Sequence, residues 1–324
     1  MTLADAASTG PLVAGVDLGG TKIQTILVRG DEVLGRAREP TPSEGAAAVA
    51  SAVVDSVRAA LEVAGADAHQ LSAIGMGAPG RIRDGVISHS PNMAGMHEPF
   101  PMGTTVSQGL DGVAVRIDND VTVATLGEMH RGAGRPFSSF LCVFVGTGVG
   151  GGMVVGRTVW RGRGTAGEIG HMVVKPQGRR CGCGGRGHLE AYAGRASMQQ
   201  KAERLVAAGE RSVLFDLMAK HGHGRMTSSV IERALAHGDA MAERLISRAV
   251  WALGLALSSS QSLLDVEAMI IGGGLAERFG QPFIDRIAAQ MGTTLFHADD
   301  PPVMLPAGLG DLSGAIGAAV LAGV

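Results

Sequence analysis

The chain has 324 residues, with 28 basic against 30 acidic side chains and a hydrophobic fraction of 45%. This length suggests two domains rather than one. The nearly neutral charge argues against a nucleic-acid partner, because such proteins need an excess of basic residues to neutralise phosphates. Three cysteines are too few for a secreted disulfide scaffold.

Neither the opening residues nor the longest apolar stretch indicates targeting to a membrane. The opening residues, MTLADAASTGP, lack the basic segment and apolar run of a signal peptide. The longest apolar stretch, 245–264, is interrupted by polar residues, which favours a buried helix over a membrane span. We therefore expect a cytoplasmic globular protein with no membrane partner.

Strands followed by glycine turns dominate the first half of the chain. Apolar residues 12–16 predict a strand, DLGGT predicts a turn, and KIQTILV predicts a second strand. Because a strand and not a helix follows the turn, a Walker-type phosphate loop is excluded. We expect a helix over 43–64, a strand in LSAIGMGAPG, and a strand that ends at Asn119 and Asp120 before another helix.

The second half repeats this design. The segment SFLCVFVGTGVGGGMVVGRTVWRG predicts strand, glycine turn and strand, and VEAMIIGGGLAE predicts strand, glycine turn and helix. The letters GTGVGG also fit the dinucleotide fingerprint G-x-G-x-x-G, but that motif must open a helix. The glycine-rich, β-branched residues that follow indicate a hairpin, so we reject an NAD site.

The repeated pattern predicts an α/β protein with duplicated actin/hexokinase-like (ribonuclease H-like) domains and an intervening cleft. We expect a small N-terminal domain over 1–122, joined by a C-terminal helix over 311–324. The larger domain is expected over 123–310, and it contains the loop with Cys181 and Cys183.

Five motifs make the interpretation more specific. DLGGTK, NDVTVATLGE, VGTGVGGG, GEIGH and CGCGGRGHLE, in this order and spacing, closely resemble the ROK family of repressors, open reading frames and kinases. The resemblance extends from about Val13 to Leu321, and Glu168 to Glu190 is its most specific part. It implies an ATP-dependent sugar kinase with a structural zinc, usually a dimer, or else a sugar-responsive transcription repressor.

The kinase interpretation needs a catalytic base, and Asp120 is the candidate. Phosphoryl transfer requires an acceptor for the proton of the attacking hydroxyl, and a carboxylate at the end of a strand meets that need. The DND letters could equally cap the following helix. The resemblance implies that Asn119 binds sugar and that Asp120 is the base, and we expect Asp118 to be structural.

Glycine turns are the candidate ATP-binding elements, since glycines let backbone N–H groups approach phosphate oxygens. In the first turn Thr21 adds a hydroxyl, and Asp17 could orient Mg²⁺ through water. An ordinary hairpin turn is the alternative. The resemblance places a third turn on the adenosine side. The cofactor-binding candidates are Asp17, Gly19, Gly20, Thr21, Lys22, Gly146, Thr147, Gly148, Gly150, Gly272, Gly273 and Gly274.

The resemblance implies that Glu168, His171 and Glu190 contact the sugar. Carboxylates and an imidazole can face several sugar hydroxyls together, although each such residue taken singly is more often solvated surface. Gly80 and Asn92 lie in loops where the family places further sugar contacts. The family often has tryptophan shortly after Asn92, and Met96 stands near that position here.

A metal site is the last prediction. The family's zinc ligands are one histidine and three cysteines, and the matching residues here are His171, Cys181, Cys183 and His188. Histidine in the last position departs from the commoner pattern but is a good zinc ligand. We expect a structural zinc that fixes the loop carrying His171 and Glu190. The alternative is that zinc is lost and His188 is a surface residue, while Cys142 is inert core.

The expected activity is transfer of phosphate from Mg²⁺–ATP to the C6 hydroxyl of a hexose, with glucose as the favoured acceptor. Kinases of N-acetylglucosamine or N-acetylmannosamine are the alternatives. A repressor is less favoured, because family repressors carry an additional N-terminal DNA-binding domain and the first turn here begins by residue 17. A non-catalytic sugar-binding scaffold is also disfavoured, because Asp120 and the phosphate turns are intact. The expected partners are sugar, ATP and a second copy of the chain.

Overall fold

Two α/β units make up the described part of the chain, which is residues 10–88, 93, 98–220, 222 and 224–323 of a computed structural model. The first unit contains the chain up to Arg135, the segment Val159–Ala166, and the residues from Asp311 onwards. The second unit contains Pro136–Thr158 and Gly167–Gly310.

A five-stranded sheet forms the centre of the first unit. Its strand order is β3–β2–β1–β4–β7, with β1, β2 and β3 antiparallel and β4 and β7 parallel to β1. A short β5–β6 hairpin stands apart from it. The elements are β1 (Leu12–Leu18), β2 (Lys22–Arg29), β3 (Glu32–Pro40), α1 (Ala46–Ala64), β4 (Leu71–Ala78), β5 (Arg81–Arg83), β6 (Val86–Ser88), α2 (Met102–Gly109), β7 (Val115–Asn119) and α3 (Asp120–Arg131).

The second unit repeats this sheet. Its order is β10–β9–β8–β11–β12, with β9 antiparallel to β8 and with β11 and β12 parallel to it. The elements are β8 (Phe140–Val145), β9 (Val149–Val155), β10 (Thr158–Val159), α4 (Glu190–Ala193), α5 (Arg195–Ala207), α6 (Leu214–Lys220), α7 (Ser228–Ala236), α8 (Ala240–Leu264), β11 (Ala268–Gly272), α9 (Gly273–Gly292) and β12 (Val303–Pro306). The duplicated α/β fold predicted from the sequence is confirmed.

The final helix, α10 (Ser313–Ala322), completes the first unit. It packs directly on the sheet, because a Cβ at Gly15 or Gly75 would lie 2.1 Å from the carbonyl oxygen of Ala315 or 1.7 Å from that of Ala318. It also packs on α3, since a Cβ at Gly127 would lie 2.7 Å from the carbonyl oxygen of Ser313. The first unit therefore contains the whole of α3, and the division lies after Arg135 and not after residue 122 as expected.

Short single-turn helices occur at Ala68–Gln70, Ile169–His171 and Gly310–Leu312. The helix expected from residue 43 begins at Ala46, because Gly45 adopts a φ of 111° that ends the preceding turn. Within the residues that the structure describes, no helix has the length and apolar character needed to cross a membrane.

Candidate active site

The first glycine turn joins β1 to β2 and is fixed by its own backbone. The N–H of Gly19 donates to the carbonyl oxygen of Lys22 at 2.9 Å, and the Thr41 hydroxyl donates to the carbonyl oxygen of Gly19 at 2.7 Å. Gly20 and Thr21 lie exposed at the tip. The backbone of this turn is thus held rigid while its tip faces solvent, as a phosphate-binding turn requires.

Four charged residues of the first unit interact beside this turn. Burial raises the pKa of Asp17 to about 6, the negative charges of Asp120 and Asp311 add to the shift, and Lys22 opposes it. The Lys22 ammonium itself pairs with Asp311. A Cβ at Gly314 would lie 2.5 Å from the carboxyl carbon of Asp17, so only glycine leaves room for that carboxylate. Because Asp17 is buried and lies near the negative charge of Asp120, this pair of carboxyls favours a bound cation or proton.

Asn119 and Asp120 occupy different positions at the junction of β7 and α3. The Asn119 side chain caps α3 and accepts hydrogen bonds from the N–H groups of Val121 at 3.1 Å and Thr122 at 3.2 Å. The helix-capping alternative therefore describes Asn119, and Asp120 is the first residue of the helix. Asp120 also accepts a hydrogen bond, from Val121 N–H at 2.9 Å, and its charge acts on Asp17.

Sequence reasoning missed a residue that holds this strand end. Arg161 donates from Nε to Oδ2 of Asp118 at 2.6 Å, and the other Asp118 oxygen accepts from the N–H of Asn119 at 2.8 Å. Asp118 therefore has the structural contacts of a residue that fixes the backbone before Asp120. The two partners lie 43 positions apart in the chain, and the motif RGRG alone carries no signal of this pairing.

In the second unit, the matching turn between β8 and β9 receives a carboxylate from elsewhere. The N–H of Gly146 donates to the carbonyl oxygen of Gly148 at 2.9 Å, and the N–H of Val149 donates to Oε2 of Glu190 at 3.0 Å. A Cβ at Gly148 would lie 2.3 Å from that oxygen. The structure thus brings a predicted ATP-binding residue and a predicted sugar-binding residue together. A strand follows the turn, with Gly150 in β9 paired with Phe144.

The third glycine turn leads from β11 into α9, as predicted. Gly273 has a φ of 80° and packs tightly, since a Cβ there would lie 2.7 Å from the backbone nitrogen of Val145. A Cβ at Gly274 would lie 2.6 Å from Nη1 of Arg195. The turn therefore needs glycine for both conformation and space.

Arg195 links two of these turns, and sequence reasoning missed it. Its Nη2 donates to the Thr147 hydroxyl at 3.5 Å and its Nη1 to the Ser228 hydroxyl at 3.1 Å. Its backbone N–H donates to the carbonyl oxygen of Gly146 at 3.1 Å. Burial lowers the pKa of Arg195, and the charge of Glu277 opposes that shift. The sequence around Arg195, directly after YAG, does not indicate this role, because its contacts are with residues of other elements.

The remaining sugar-binding candidates differ in their surroundings. Glu168 and His171 are exposed, with Oε2 and Nε2 3.8 Å apart. Gly80 follows β4 with a φ of 103°, a conformation that favours glycine. The predictions for Asn92 and Met96 fall on residues outside those that the structure describes.

The four predicted metal ligands converge. One ligand atom from each of His171, Cys181, Cys183 and His188 lies within 4.8 Å of the other three. The thiol of Cys183 and Nδ1 of His188 are 3.2 Å apart. Tetrahedral zinc holds its ligands at about 2.0–2.3 Å, which places ligand atoms about 3–4 Å from one another. The donor types therefore fit zinc, and the upper limit of 4.8 Å on their separations is slightly wider than a closed tetrahedral site.

The cluster also touches Glu190. Cys181 Sγ lies 3.5 Å from Oε1 of Glu190, and burial is the main cause that raises the pKa of this thiol to about 12. The backbone around the cluster is tied by hydrogen bonds from Cys181 N–H to the Gly185 carbonyl at 2.8 Å and from Leu189 N–H to the Met172 carbonyl at 2.9 Å. One Glu190 oxygen thus faces the glycine turn and the other faces the metal-ligand cluster.

Comparisons with known proteins agree with the duplicated α/β fold. The model of the ROK family matches residues 13–323. The glucokinase of Streptomyces coelicolor is 33% identical over 96% of this chain and 97% of its own, and an N-acetylmannosamine kinase of Haemophilus influenzae is 29% identical over 82% and 81%. A ROK family glucokinase from Streptomyces griseus, solved with glucose and AMPPNP, has a TM-score of 0.81, 32% identity, and coverage of 96% of this chain and 99% of its own.

Proposed function

The chain belongs to the ROK family, and on that premise we propose that it is an ATP-dependent hexose kinase acting on the C6 hydroxyl of glucose. One observation carries the proposal. Asp120 opens α3 directly after the helix-capping Asn119, and it lies close enough to Asp17 of the first glycine turn for their charges to interact. A carboxylate is thereby placed beside a turn suited to phosphate.

Asp120 is the proposed general base. It would accept the proton of the attacking hydroxyl as the oxygen bonds to the γ-phosphorus of ATP and the bond to the β-phosphate oxygen breaks. The N-terminus of α3 favours a negative charge at this position. Asp118, held by Arg161, fixes the strand end from which Asp120 projects.

ATP would be bound by backbone N–H groups of the predicted glycine turns. Mg²⁺, where present, would be held on the side of Asp17 and would neutralise phosphate charge. Arg195 joins Thr147 to the helix start at Ser228, and it packs against Gly274, so it is the proposed residue that fixes the second and third turns together.

The sugar would be bound by Glu168, His171 and Glu190, with Asn119 as a further contact. Glu190 is the best supported of these, because Val149 N–H and Cys181 fix its carboxylate from two sides. Zinc would be held by the His171, Cys181, Cys183 and His188 cluster and would supply a structural tie for this loop.

The relatives bear on the identity of the sugar. A glucokinase is 33% identical over nearly the whole chain, which favours glucose, while an N-acetylmannosamine kinase at 29% identity keeps an N-acetylated hexose as the alternative. A site that admits an acetyl group at C2 can still accept a plain hydroxyl, so the two activities can overlap.

A coupled assay with Mg²⁺–ATP tests the proposal on glucose, N-acetylglucosamine, mannose, N-acetylmannosamine and fructose at equal concentrations. We expect the highest kcat/KM with glucose. An equal preparation of Asp120→Asn controls for contaminating kinases. A higher kcat/KM with an N-acetylated sugar would transfer the assignment to that sugar, and no transfer to any of the five would contradict the hexose kinase. Light scattering tests the homodimer that the family resemblance implies.

A further inference from the structure

Two arginines of the second unit, Arg179 and Arg248, lie over an aromatic pair. Tyr192 and Trp251 pack edge to face with ring centroids 5.7 Å apart. The guanidinium carbon of Arg179 lies 4.8 Å from the Tyr192 ring centroid, and that of Arg248 lies 4.3 Å from the Trp251 centroid and 6.0 Å from that of Tyr192. The aromatic faces stabilise these cations and hold their planes in place.

The third arginine, Arg204, acts on Arg179 through its charge, as Arg248 does. Within the described ranges, none of the three arginines lies within 4.0 Å of a carboxylate oxygen. Arg244, which lies on the same helix as Arg248, differs from these three because it pairs with Glu210. The cluster therefore concentrates positive charge that protein carboxylates leave uncompensated.

Arg179 carries the sharpest sign of a missing ligand. Its Nη1 is buried and has no hydrogen-bond acceptor among the residues that the structure describes. Its position is nonetheless fixed, since its backbone N–H donates to the Tyr192 hydroxyl at 3.0 Å. Buried donors without an acceptor are unfavourable and rare in native proteins.

We propose that Arg179, Arg204 and Arg248 form a binding site for a phosphate group, carried by inorganic phosphate or by a phosphate monoester. Guanidinium groups present several N–H donors in a fixed fork that matches phosphate oxygens. A dianionic phosphate also offers more charge to three cations than a single carboxylate does. Neither the sugar site nor the ATP turns use any of these three residues.

Binding here would act on the loop of the metal-ligand cluster. Arg179 stands two residues before Cys181, its carbonyl oxygen accepts from Gly187 N–H at 2.8 Å, and Tyr192 stands two residues after Glu190. A phosphate held by Arg179 would restrain both ends of this loop. We therefore expect phosphate to raise the thermal midpoint of the protein as well as to bind.

Calorimetric titration of the full-length protein with sodium phosphate tests the site, with chloride added to keep the ionic strength constant. Saturating Mg²⁺–AMPPNP blocks binding of phosphate at the ATP turns. We expect one phosphate per chain, with affinity reduced about tenfold in Arg248→Gln and in Arg204→Gln, as expected for loss of one charge-assisted hydrogen bond. The control is Arg244→Gln. Arg244 lies on α8, the helix of Arg248, and already pairs with Glu210, so this variant should bind phosphate like the wild type.

A second titration with glucose 6-phosphate separates the two sources of the phosphate group. Tighter binding than inorganic phosphate indicates a monoester, and weaker binding indicates the free ion. No phosphate binding by the wild type, or unchanged affinity in both Arg248→Gln and Arg204→Gln, would overturn the proposal. A third outcome would also overturn it. If the wild type does not bind phosphate and light scattering shows that Arg248→Gln converts a dimer into monomers, a carboxylate of a second copy is the partner of the cluster.

Discussion

The two strand–turn–strand hairpins, β1–β2 and β8–β9, stand at equivalent places in sheets of the same order. They differ in where their charge comes from. The first turn is flanked by charged residues of its own chain segment, Asp17 and Lys22. The second has no charged residue from Val145 to Gly150, and Glu190, 41 positions from Val149, supplies its carboxylate.

This difference shows that a duplicated backbone does not carry duplicated chemistry. In the first unit, Asp120 and Asp17 place negative charge next to the turn, which suits proton transfer and cation binding. In the second unit, a carboxylate is held by a backbone N–H and a thiol, which suits recognition of hydroxyl groups. Mutations that affect only one hairpin should therefore produce different kinetic defects.

The largest effect should come from the first unit. We expect Asp120→Asn to lower turnover about a thousandfold, because a positioned base contributes about 10²–10⁴-fold to the rate. Sugar affinity should remain within a few-fold, since the amide keeps the size of the side chain. Single-turnover kinetics and equilibrium sugar binding measure the two quantities. Turnover within a few-fold of the wild type would rule out Asp120 as the base.

The second hairpin can be broken by adding one methyl group. Gly148→Ala places a Cβ 2.3 Å from the Glu190 carboxylate, whereas a Cβ at Gly146 meets no atom within 4 Å. We expect Gly148→Ala to weaken sugar binding about a hundredfold, on the scale of about 2–3 kcal/mol for a lost charge-assisted hydrogen bond. Gly146→Ala should leave sugar affinity within twofold. Equal sugar affinity in the two variants would show that Glu190 does not bind sugar.

The support of Glu190 from the metal-ligand cluster can be tested separately. We expect Cys181→Ser to lose one equivalent of zinc and about tenfold in sugar affinity, since outer contacts of this kind commonly contribute about 10–100-fold. His188→Cys should retain zinc, because thiolate is an equally good ligand. Elemental analysis of purified protein gives the zinc content. A fully active wild type with much less than one equivalent would mean that the loop folds without the metal.

The smallest effect concerns stability of the first unit and its pH dependence. The pKa of Asp17 is raised from 3.8 to about 6 in the folded protein, so the folded state binds this proton more tightly and the wild type loses stability as pH rises from about 4 to 6. Asp17→Asn lacks this loss.

The thermal midpoint of Asp17→Asn, measured without nucleotide and Mg²⁺, should exceed that of the wild type by about 2–4 °C at pH 7.5 and by less at pH 4.5. A difference that is the same at both pH values would contradict the raised pKa. Asp55→Asn, which changes an exposed carboxylate on α1, is the control.

Local patterns allowed the prediction of both hairpins, because each depends on residues close together in sequence, and the resemblance to the ROK family implied the Cys–His cluster. The Arg161–Asp118 pair and the contact of Glu190 with Gly148 could not be predicted, since they join residues 43 and 42 positions apart through the tertiary fold. Asn119 shows a different limit. The letters DND were compatible with a helix cap or a catalytic residue, and the hydrogen bonds of the Asn119 side chain show that this residue is the cap.

The close packing of α10 on the first sheet has a consequence for biosynthesis. The helix that covers Gly15 and Gly75 begins at Ser313, after the whole of the second unit in chain order. During translation, the apolar face of β1 and β4 therefore stays exposed to solvent while about half of the protein is synthesised. Apolar surface that is exposed in this way makes folding intermediates prone to aggregate. The second unit can fold first, and the earliest part of the chain to be synthesised is the last to be finished.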